Sequence, residues 1–247
     1  MIKLERPPCP TFLTPAKAKE LTDKFKDDGS SVWSAEEIKT PLLASSSNKC
    51  AYCECGVNEE SKYMEVEHFK DKDSYPDDVV SWINLLPSCK RCNGTKGTHD
   101  VLSTPIINPY DVVPSQHLGF RAYRFRPLTS LGKDTVDALD LNNSLRVVLT
   151  RFKVGEDLLE ELEVVSDRWD AWVTKGTTRA RNALIRGVDA LLQSCQPTEP
   201  YAATAATVLH QDERYRDLRT DLMSHGLWTA ELENSHLRSL ALRLPCT

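Results

Sequence analysis

Two closely spaced pairs of cysteines have the clearest chemical meaning in this sequence. Cys50 and Cys53 form one Cys-x-x-Cys pair, and Cys89 and Cys92 form the other. A gap of two residues lets both thiolates turn toward one ion, and two such pairs complete the tetrahedral four-sulfur shell that Zn2+ prefers. The spacing therefore predicts a structural zinc site, the alternative being four reduced cysteines without a metal. Cys55 follows Cys53 too closely for this pattern and is left outside the predicted set.

The polar residues between and just after the two pairs are the candidates for catalysis, because a four-cysteine zinc shell leaves no position open for a substrate. They are Glu67 and the adjacent His68, then Asn84 and Asn93. Hydrolysis of a phosphodiester needs a base for the attacking water and positive charge near the developing oxyanion. His68 supplies a base that is mostly neutral at pH 7 to 8 if its pKa is ordinary. Glu67 and Asn93 offer the hard oxygen ligands that Mg2+ or Mn2+ prefers.

Other residues near the second cysteine pair are predicted to support this chemistry. Asn84, expected on a strand, would hold the His68 ring through a side-chain or backbone hydrogen bond. Ser88 would cap a short helix, and offsets of three, four and seven residues place several side chains on one broad face of it. These side chains are Cys89, Cys92, Asn93 and Lys96. Lys96 would bind the scissile strand as a point charge.

Each of these assignments has a structural alternative that the sequence leaves open. His68 could be a histidine that only packs or hydrogen-bonds near the zinc, and Asn84 could be a turn asparagine. Lys96 could be a solvated surface lysine. Three arginines near a predicted strand either form a basic edge that binds nucleic acid beside the site or a solvated strand face. They are Arg121, Arg124 and Arg126.

Helical elements are predicted before the first cysteine pair. Thr14 and Pro15 have the residue types of an N-cap and a first helical position, so a helix should run from Pro15 to about Phe25. Ser34, with Glu37 three residues later, suggests a capping box for a short second helix.

The remaining chain is predicted to change from mixed to helical structure. The domains expected are an N-terminal arm with helices at 1–48, a zinc-containing catalytic domain at 49–127 and a helical region at 128–247. Alternation of apolar residues from His117 to Arg126 predicts one strand. Apolar residues after Asp134 follow helical spacing and predict a bundle of about four helices. Within it, Trp169 and Trp172 are either core residues or part of a docking surface.

Composition narrows the possible functions. The 247 residues carry a net charge of −5, which excludes binding of nucleic acid by bulk positive charge alone. It does not exclude a nuclease, because a bound divalent cation changes the local charge. No apolar run approaches the length of a membrane helix, and no signal-peptide pattern is present. A cytoplasmic, soluble protein without membrane contact is therefore expected.

The ordering of these residues resembles the HNH nucleases of the ββα-metal type. The matching segments are CAYCECG, then VEHF, then WINLLPSCKRCNGTKGTHD. In that family an acidic residue next to a histidine begins the motif, an asparagine follows, and a histidine or asparagine lies on a short helix. The resemblance assigns these positions to Glu67, His68, Asn84 and Asn93. It implies a ββα-metal core, a structural zinc and a catalytic Mg2+ or Mn2+.

Segments outside the motif resemble one HNH subgroup, the bacterial nucleases of Septu anti-phage systems, which also occur as retron effectors. These segments are IKLERP, IINPYDVVPSQHLGF and DTVDALDLNNSLRVVLTR. The resemblance implies control by a PtuA-like ABC-type ATPase and, in retron systems, association with a reverse transcriptase and its RNA–DNA product. It also implies that the C-terminal helices are the docking region for the ATPase.

Together these observations predict an α+β protein with a zinc-containing HNH core, an N-terminal helical arm and a C-terminal helical bundle. The predicted function is metal-dependent cleavage of nucleic acid in phage defence, with DNA as the default substrate and RNA, such as transfer RNA, as an alternative. A rival hypothesis of another class is a non-catalytic zinc-binding adaptor that links an ATPase to nucleic acid.

Overall fold

The chain forms two compact units in the computed structural model, which describes residues 1–59 and 62–246. The first unit consists of Met1–Leu118 and Phe125–Asn142, and the second of Gly119–Arg124 and 143–246. Both cysteine pairs and the four candidate catalytic residues belong to the first unit. The domain limits expected from the sequence stay a prediction.

The first unit combines a small sheet with four α-helices among its described residues. Its helices are α1 (Pro15–Asp28), α2 (Glu36–Ser45), α3 (Lys90–Lys96) and α4 (Ser130–Ala138). Its sheet has the antiparallel order β1 (Asn58–Glu59), β2 (Lys62–His68) and β3 (Leu85–Cys89). The mixture of helices with a small sheet agrees with the predicted α+β class.

The sheet fixes the position of the candidate catalytic strand. Strand β2 pairs with β3 so that Met64 lies opposite Cys89 and His68 opposite Leu85. Strand β1 pairs only with the first two residues of β2, Lys62 and Tyr63. Within the described part of the chain, the rest of β2 therefore keeps one edge without a partner strand. Helix α3 follows β3 directly and packs against β2.

The two N-terminal helices differ in how well their starts were predicted. Helix α1 begins as expected, with Pro15 at its first position and Thr14 accepting a hydrogen bond from the backbone of Lys17. Helix α2 is short, as expected, but the predicted capping box is wrong. Ala35 is the N-cap residue and offers no side-chain bond, while Ser34 ends a preceding 3-10 turn.

The predicted single strand from His117 to Arg126 is wrong in detail, because two strands occupy this segment. They are β4 (Leu118–Arg121) and β5 (Arg124–Pro127), which form a two-stranded sheet. Ala122 and Tyr123 make the turn between them with φ angles of 48° and 60°. Neither residue is the glycine or asparagine that usually marks such a left-handed turn, so this turn has no recognisable sequence pattern.

The second unit is built almost entirely of helices, as expected, but it holds more than the predicted four. Its described α-helices are α5 (Leu149–Lys175), α6 (Thr178–Gln193), α7 (Ala202–Gln211), α8 (Glu213–Ser224) and α9 (Ala230–Leu240). Leucines and valines on their facing sides form one buried core. Trp169 and Trp172 are half-buried and pack against that core, which favours the structural interpretation of this pair. None of the described helices is both long enough and apolar enough to span a bilayer.

Candidate metal centre and active site

The four cysteines of the two pairs converge on one point. Their sulfur atoms all lie within 4.8 Å of one another, and Cys53 and Cys89 are separated by 3.7 Å. A tetrahedral ion with Zn–S bonds of about 2.3 Å places its sulfurs at close to that separation. The donor set therefore fits a zinc ion held by Cys50, Cys53, Cys89 and Cys92, the set that the spacing predicts. Cys55 lies outside this group of four.

The surroundings of the cluster favour thiolates that share a cation. The backbone N–H of Cys92 points at the sulfur of Cys89 at 3.4 Å, and the Arg91 guanidinium donates to the Cys92 sulfur at 3.4 Å. Without a metal, hydrogen bonding to Cys50 raises the pKa of Cys53 and of Cys92 well above the usual thiol value. Four thiols this close cannot all ionise unless a cation compensates them.

Helix α3 is capped by a metal-binding residue rather than by the predicted serine. Cys89 is its N-cap residue, and its sulfur accepts the hydrogen bond from Cys92. Ser88 lies one position earlier, fully buried on β3. The cap and the zinc shell therefore use the same sulfur atom, which ties the start of α3 to the cluster.

An open pocket of about 530 Å³ lies along β2 in the first unit. Its walls include all residues from Tyr63 to His68, because both faces of the strand reach the edge that has no partner strand. Asn93 of α3 and Trp33, from the segment between α1 and α2, close it on other sides. The pocket therefore brings together three of the predicted catalytic residues, Glu67, His68 and Asn93.

His68 is held by a backbone carbonyl and by an aromatic ring. Its Nε2 atom lies 2.9 Å from the Val79 carbonyl oxygen, which can only accept a hydrogen bond, so Nε2 carries the proton in the neutral ring. Its ring packs edge-to-face against Trp33, with centroids 4.7 Å apart. Burial lowers the pKa of His68 to about 4, so the imidazole is neutral at pH 7 and Nδ1 is its basic atom.

Asn84 supports His68 indirectly and lies on a 3-10 turn, not on the predicted strand. Its side chain accepts a hydrogen bond from the Lys70 backbone at 2.7 Å and donates to the carbonyls of Lys70 and Asp78 at 3.0 and 3.1 Å. Asp78 precedes Val79, the residue that holds the His68 ring. Asn84 therefore fixes the loop that carries this carbonyl and does not itself bond to the ring in the way predicted.

Lys96 occupies a position that neither sequence hypothesis describes. It is 4% exposed, its Nζ lies 2.8 Å from Glu67 Oε1, and it donates a hydrogen bond to the His68 carbonyl at 2.8 Å. Burial raises the pKa of Glu67 to about 7, although the Lys96 ammonium acts in the opposite direction. Lys96 is thus neither a solvated surface lysine nor a free point charge, since its ammonium neutralises a buried carboxylate.

Glu65 is the acidic residue that the sequence analysis missed. It precedes Glu67 by two residues on β2, so both carboxylates leave the same face of the strand. Its Oε2 accepts a hydrogen bond from the Asn93 amide at 2.7 Å. Strand alternation alone could have found Glu65. Trp33 is also missed, because no spacing links it to His68.

Two of the three arginines of the predicted basic edge belong to the other unit, whereas Arg126 belongs to the first unit. Arg121 and Arg124 lie in the second unit, whereas the pocket lies in the first. Arg121 is exposed and Arg124 is half-buried. Binding of nucleic acid by these two residues stays a prediction.

The site thus defines a class of protein: an α+β protein with a four-cysteine cluster that could hold a metal ion and, in the same unit, an acidic, histidine-containing pocket. Among known proteins, the chain is 44% identical over 233 residues to the Septu protein PtuB of Bacillus thuringiensis, covering 94% of this chain and 90% of that protein. A second Septu protein PtuB, from Bacillus mycoides, is 28% identical over 167 residues. The chain belongs to the Septu PtuB family, which confirms the Septu resemblance. No family profile and no solved structure matches it significantly.

Proposed function

We propose that this protein is a metal-dependent HNH nuclease that acts in anti-phage defence together with a PtuA-type ATPase. The defence role and the partner rest on membership of the Septu PtuB family. The nuclease activity rests on one observation in the pocket. The Val79 carbonyl accepts a hydrogen bond from Nε2 of His68, which leaves Nδ1 as the neutral base in a pocket that Glu65 and Asn93 also line.

The residues of the pocket can carry the proton transfers of phosphodiester hydrolysis. An attacking water would form its bond to phosphorus as His68 Nδ1 takes its proton, and the bond to the leaving oxygen would break. Trp33 and the Val79 carbonyl restrict rotation of the ring, so Nδ1 keeps one direction during the reaction. A bound phosphate would add negative charge beside the imidazole and raise its pKa from about 4, which strengthens the base.

The donor set of the pocket fits a hard divalent cation. Glu67 and Asn93 would hold it, as the motif implies, and Glu65 is hydrogen-bonded to Asn93. Burial raises the pKa of Glu67 to about 7 even with Lys96 present, and a bound cation would favour the ionised form of this carboxylate. When bound, Mg2+ or Mn2+ would supply positive charge to the developing oxyanion and the leaving oxygen.

The test is a cleavage assay on the full chain, with and without its ATPase, in Mg2+ or Mn2+. Plasmid DNA and total cellular RNA are the substrates, and the His68→Ala variant is compared with His225→Ala, which removes an exposed histidine of the second unit. We expect cleavage that only the His68 variant loses. The polymer that is cut distinguishes DNA from RNA.

Phage challenge separates the nuclease from the adaptor hypothesis. A non-catalytic zinc-binding adaptor does not need the His68 base, so the His68→Ala strain would stay protected. The nuclease proposal predicts that protection is lost while zinc content is unchanged and the first unit still unfolds cooperatively. Protection retained in that strain would therefore overturn the proposed activity. Association with a retron reverse transcriptase and its RNA–DNA product is tested by co-purification from the same strain.

A further inference from the structure

We propose that the pocket beside His68 binds unpaired nucleotides by aromatic stacking, so that the substrate is single-stranded nucleic acid and not a regular duplex. The inference rests on the proposed nuclease function and adds the substrate class. Two aromatic side chains in the pocket wall carry it, Trp33 and Tyr63. We call this pair the stacking platform.

Trp33, one member of the stacking platform, lies directly beside His68, the proposed catalytic base. Its ring lies 4.7 Å from the His68 ring at an interplanar angle of 85°, and Trp33 is half-buried in the pocket wall. A nucleobase stacked on the indole would bring its own sugar and phosphate next to His68. This arrangement aligns a scissile phosphate without hydrogen bonds to base edges, so it is independent of sequence.

Tyr63 places the other part at the far end of β2. Tyr63 is 63% exposed, so its ring is accessible from solvent. It leaves the same strand face as Glu65 and Glu67, and roughly 16 Å of extended chain separate it from His68. Tyr63 thus lines the pocket on the strand face of Glu65 and Glu67, whereas Trp33 lines it beside His68, whose side chain leaves the opposite face.

The charges of the pocket provide little attraction for a phosphate backbone. Its walls carry four carboxylates but only two ammonium groups, those of Lys39 and Lys72. Lys72 is paired with Asp73 at 2.8 Å, and Lys39 lies 3.5 Å from Glu36. Proteins that grip duplex DNA without sequence preference do so mainly through contacts between cations and phosphates. This pocket lacks that source of affinity along its lining, so the proposed affinity must come from the aromatic rings; of these, Trp33 also has the Lys72 ammonium over its ring, 6.0 Å from the centroid.

A duplex also hides the surfaces that the platform would bind. In paired nucleic acid each base is stacked on its neighbours, so neither ring could contact a base face unless the duplex opened. An unpaired strand exposes those faces at no such cost. Stacking contacts the base and not the sugar, so DNA and RNA single strands can both bind in this way. Comparing the affinities of the two strands distinguishes them.

The test measures binding to the full chain carrying His68→Ala, so that cleavage does not disturb the equilibrium. The probes are a fluorescein-labelled DNA single strand, an RNA single strand of the same sequence and the corresponding DNA duplex. We expect each single strand to bind at least about tenfold more tightly than the duplex. Adding Tyr63→Ala should weaken single-strand binding roughly five- to tenfold, whereas Tyr63→Phe should retain it.

Leu102→Ala is the matched control, because Leu102 is 61% exposed and lies outside the pocket lining. It should leave all three affinities unchanged. Unlabelled single strands should also quench tryptophan fluorescence, and Trp33→Phe should remove most of that quenching. This second readout uses a conservative substitution, so it does not require a protein in which the Trp33 side chain is truncated to alanine to remain folded.

Equal affinity for duplex and single strand, no measurable single-strand binding, or an unchanged affinity in Tyr63→Ala would each overturn the stacking platform. Cleavage by the wild-type chain would still support the nuclease in those cases. Conversely, single-strand binding that depends on Tyr63, in a chain that cuts no polymer, would keep the platform and remove the proposed activity. The two failures are therefore distinguishable.

Discussion

The first unit contains two sites of opposite character, separated by little more than one buried tyrosine. The cysteine cluster is closed: four like ligands from two short motifs surround one point. The pocket is open, and its contacts join β2 to α3, to a loop and to the segment before α2. Tyr52, which lies between Cys50 and Cys53 in the sequence, is fully buried. Burial raises the pKa of Tyr52, and the negative charge of the neighbouring Glu67 carboxylate raises it further.

This difference shows what each site contributes. The cluster includes the N-cap residue of α3, and a metal shell of four cysteines would leave no position free, so we expect the cluster to contribute mainly to stability. The pocket holds a depressed histidine pKa and a raised carboxylate pKa side by side, which is the usual condition of a functional site. Changes in the cluster should therefore affect folding first, and changes at the proposed catalytic residues of the pocket should affect activity first.

The largest effect is expected from Cys89→Ser. Zinc binding to a structural site contributes on the order of 10 kcal/mol or more to folding, so the first unit should lose its cooperative transition. Zinc content by atomic emission and hydrogen exchange resolved by unit would measure this. Cys9→Ser is the control, since Cys9 is exposed and outside the cluster. An unchanged melting curve for Cys89→Ser would refute the structural role of the metal.

The next effect concerns the buried ion pair of the pocket. Lys96→Met should lower the free energy of unfolding by about 3–5 kcal/mol, because it leaves Glu67 buried without its cation. The double variant with Glu67→Gln should recover much of this loss, as measured by urea denaturation. Lys90→Met, an exposed lysine at the start of the same helix, should change little. Equal losses in the single and double variants would show that Lys96 acts through packing alone.

The two sites also differ in how far the sequence predicts them. The cysteine set followed from spacing, because two-residue gaps impose the ligand geometry locally. The types of the catalytic residues followed from the motif as well. Their partners did not: the pairing of Lys96 with Glu67, and of Asn93 with Glu65, depends on how α3 lies across β2. Such contacts are set by tertiary packing, which leaves no local pattern.

The same distinction applies to the fold. Helix α1 was predicted because Thr14 and Pro15 specify its start within two residues. The hairpin turn at Ala122 and Tyr123 was missed, since residues that rarely adopt positive φ are held there by surrounding structure. Helical spacing after Asp134 identified the helical class of the second unit. The spacing of apolar residues did not predict the number of helices, because it does not show the short breaks between them.

The third prediction concerns the pH dependence of stability in the pocket, where the adjacent residues Glu67 and His68 should have opposite effects. The raised pKa of Glu67 means that its contribution to stability is present below its unfolded pKa and declines as pH rises toward 7. The lowered pKa of His68 means the reverse: its contribution is present above about pH 6.5 and is lost as pH falls toward 4. Between about pH 4.5 and 6.5 the two slopes oppose each other.

Single variants should reveal each slope. In Glu67→Gln, stability should fall with decreasing pH across that interval, by about 1 kcal/mol per pH unit. In His68→Ala, it should instead fall with increasing pH. Urea denaturation at several pH values measures both, with the wild-type chain showing a flatter profile than either variant. Parallel profiles in all three proteins would contradict the assigned pKa shifts.

The smallest effect on stability is expected from substitution of Asn93. The same substitution should nevertheless cause a large loss of cleavage activity. Asn93→Ala removes one part-buried hydrogen bond to Glu65, which is worth about 1 kcal/mol or less. Because Asn93 is also a proposed ligand of the catalytic cation, cleavage should fall by two orders of magnitude or more. Urea denaturation and the plasmid or RNA assay measure the two quantities on the same preparation. A loss of activity no greater than the loss of stability would place Asn93 with the structural residues of the cluster and not with the pocket.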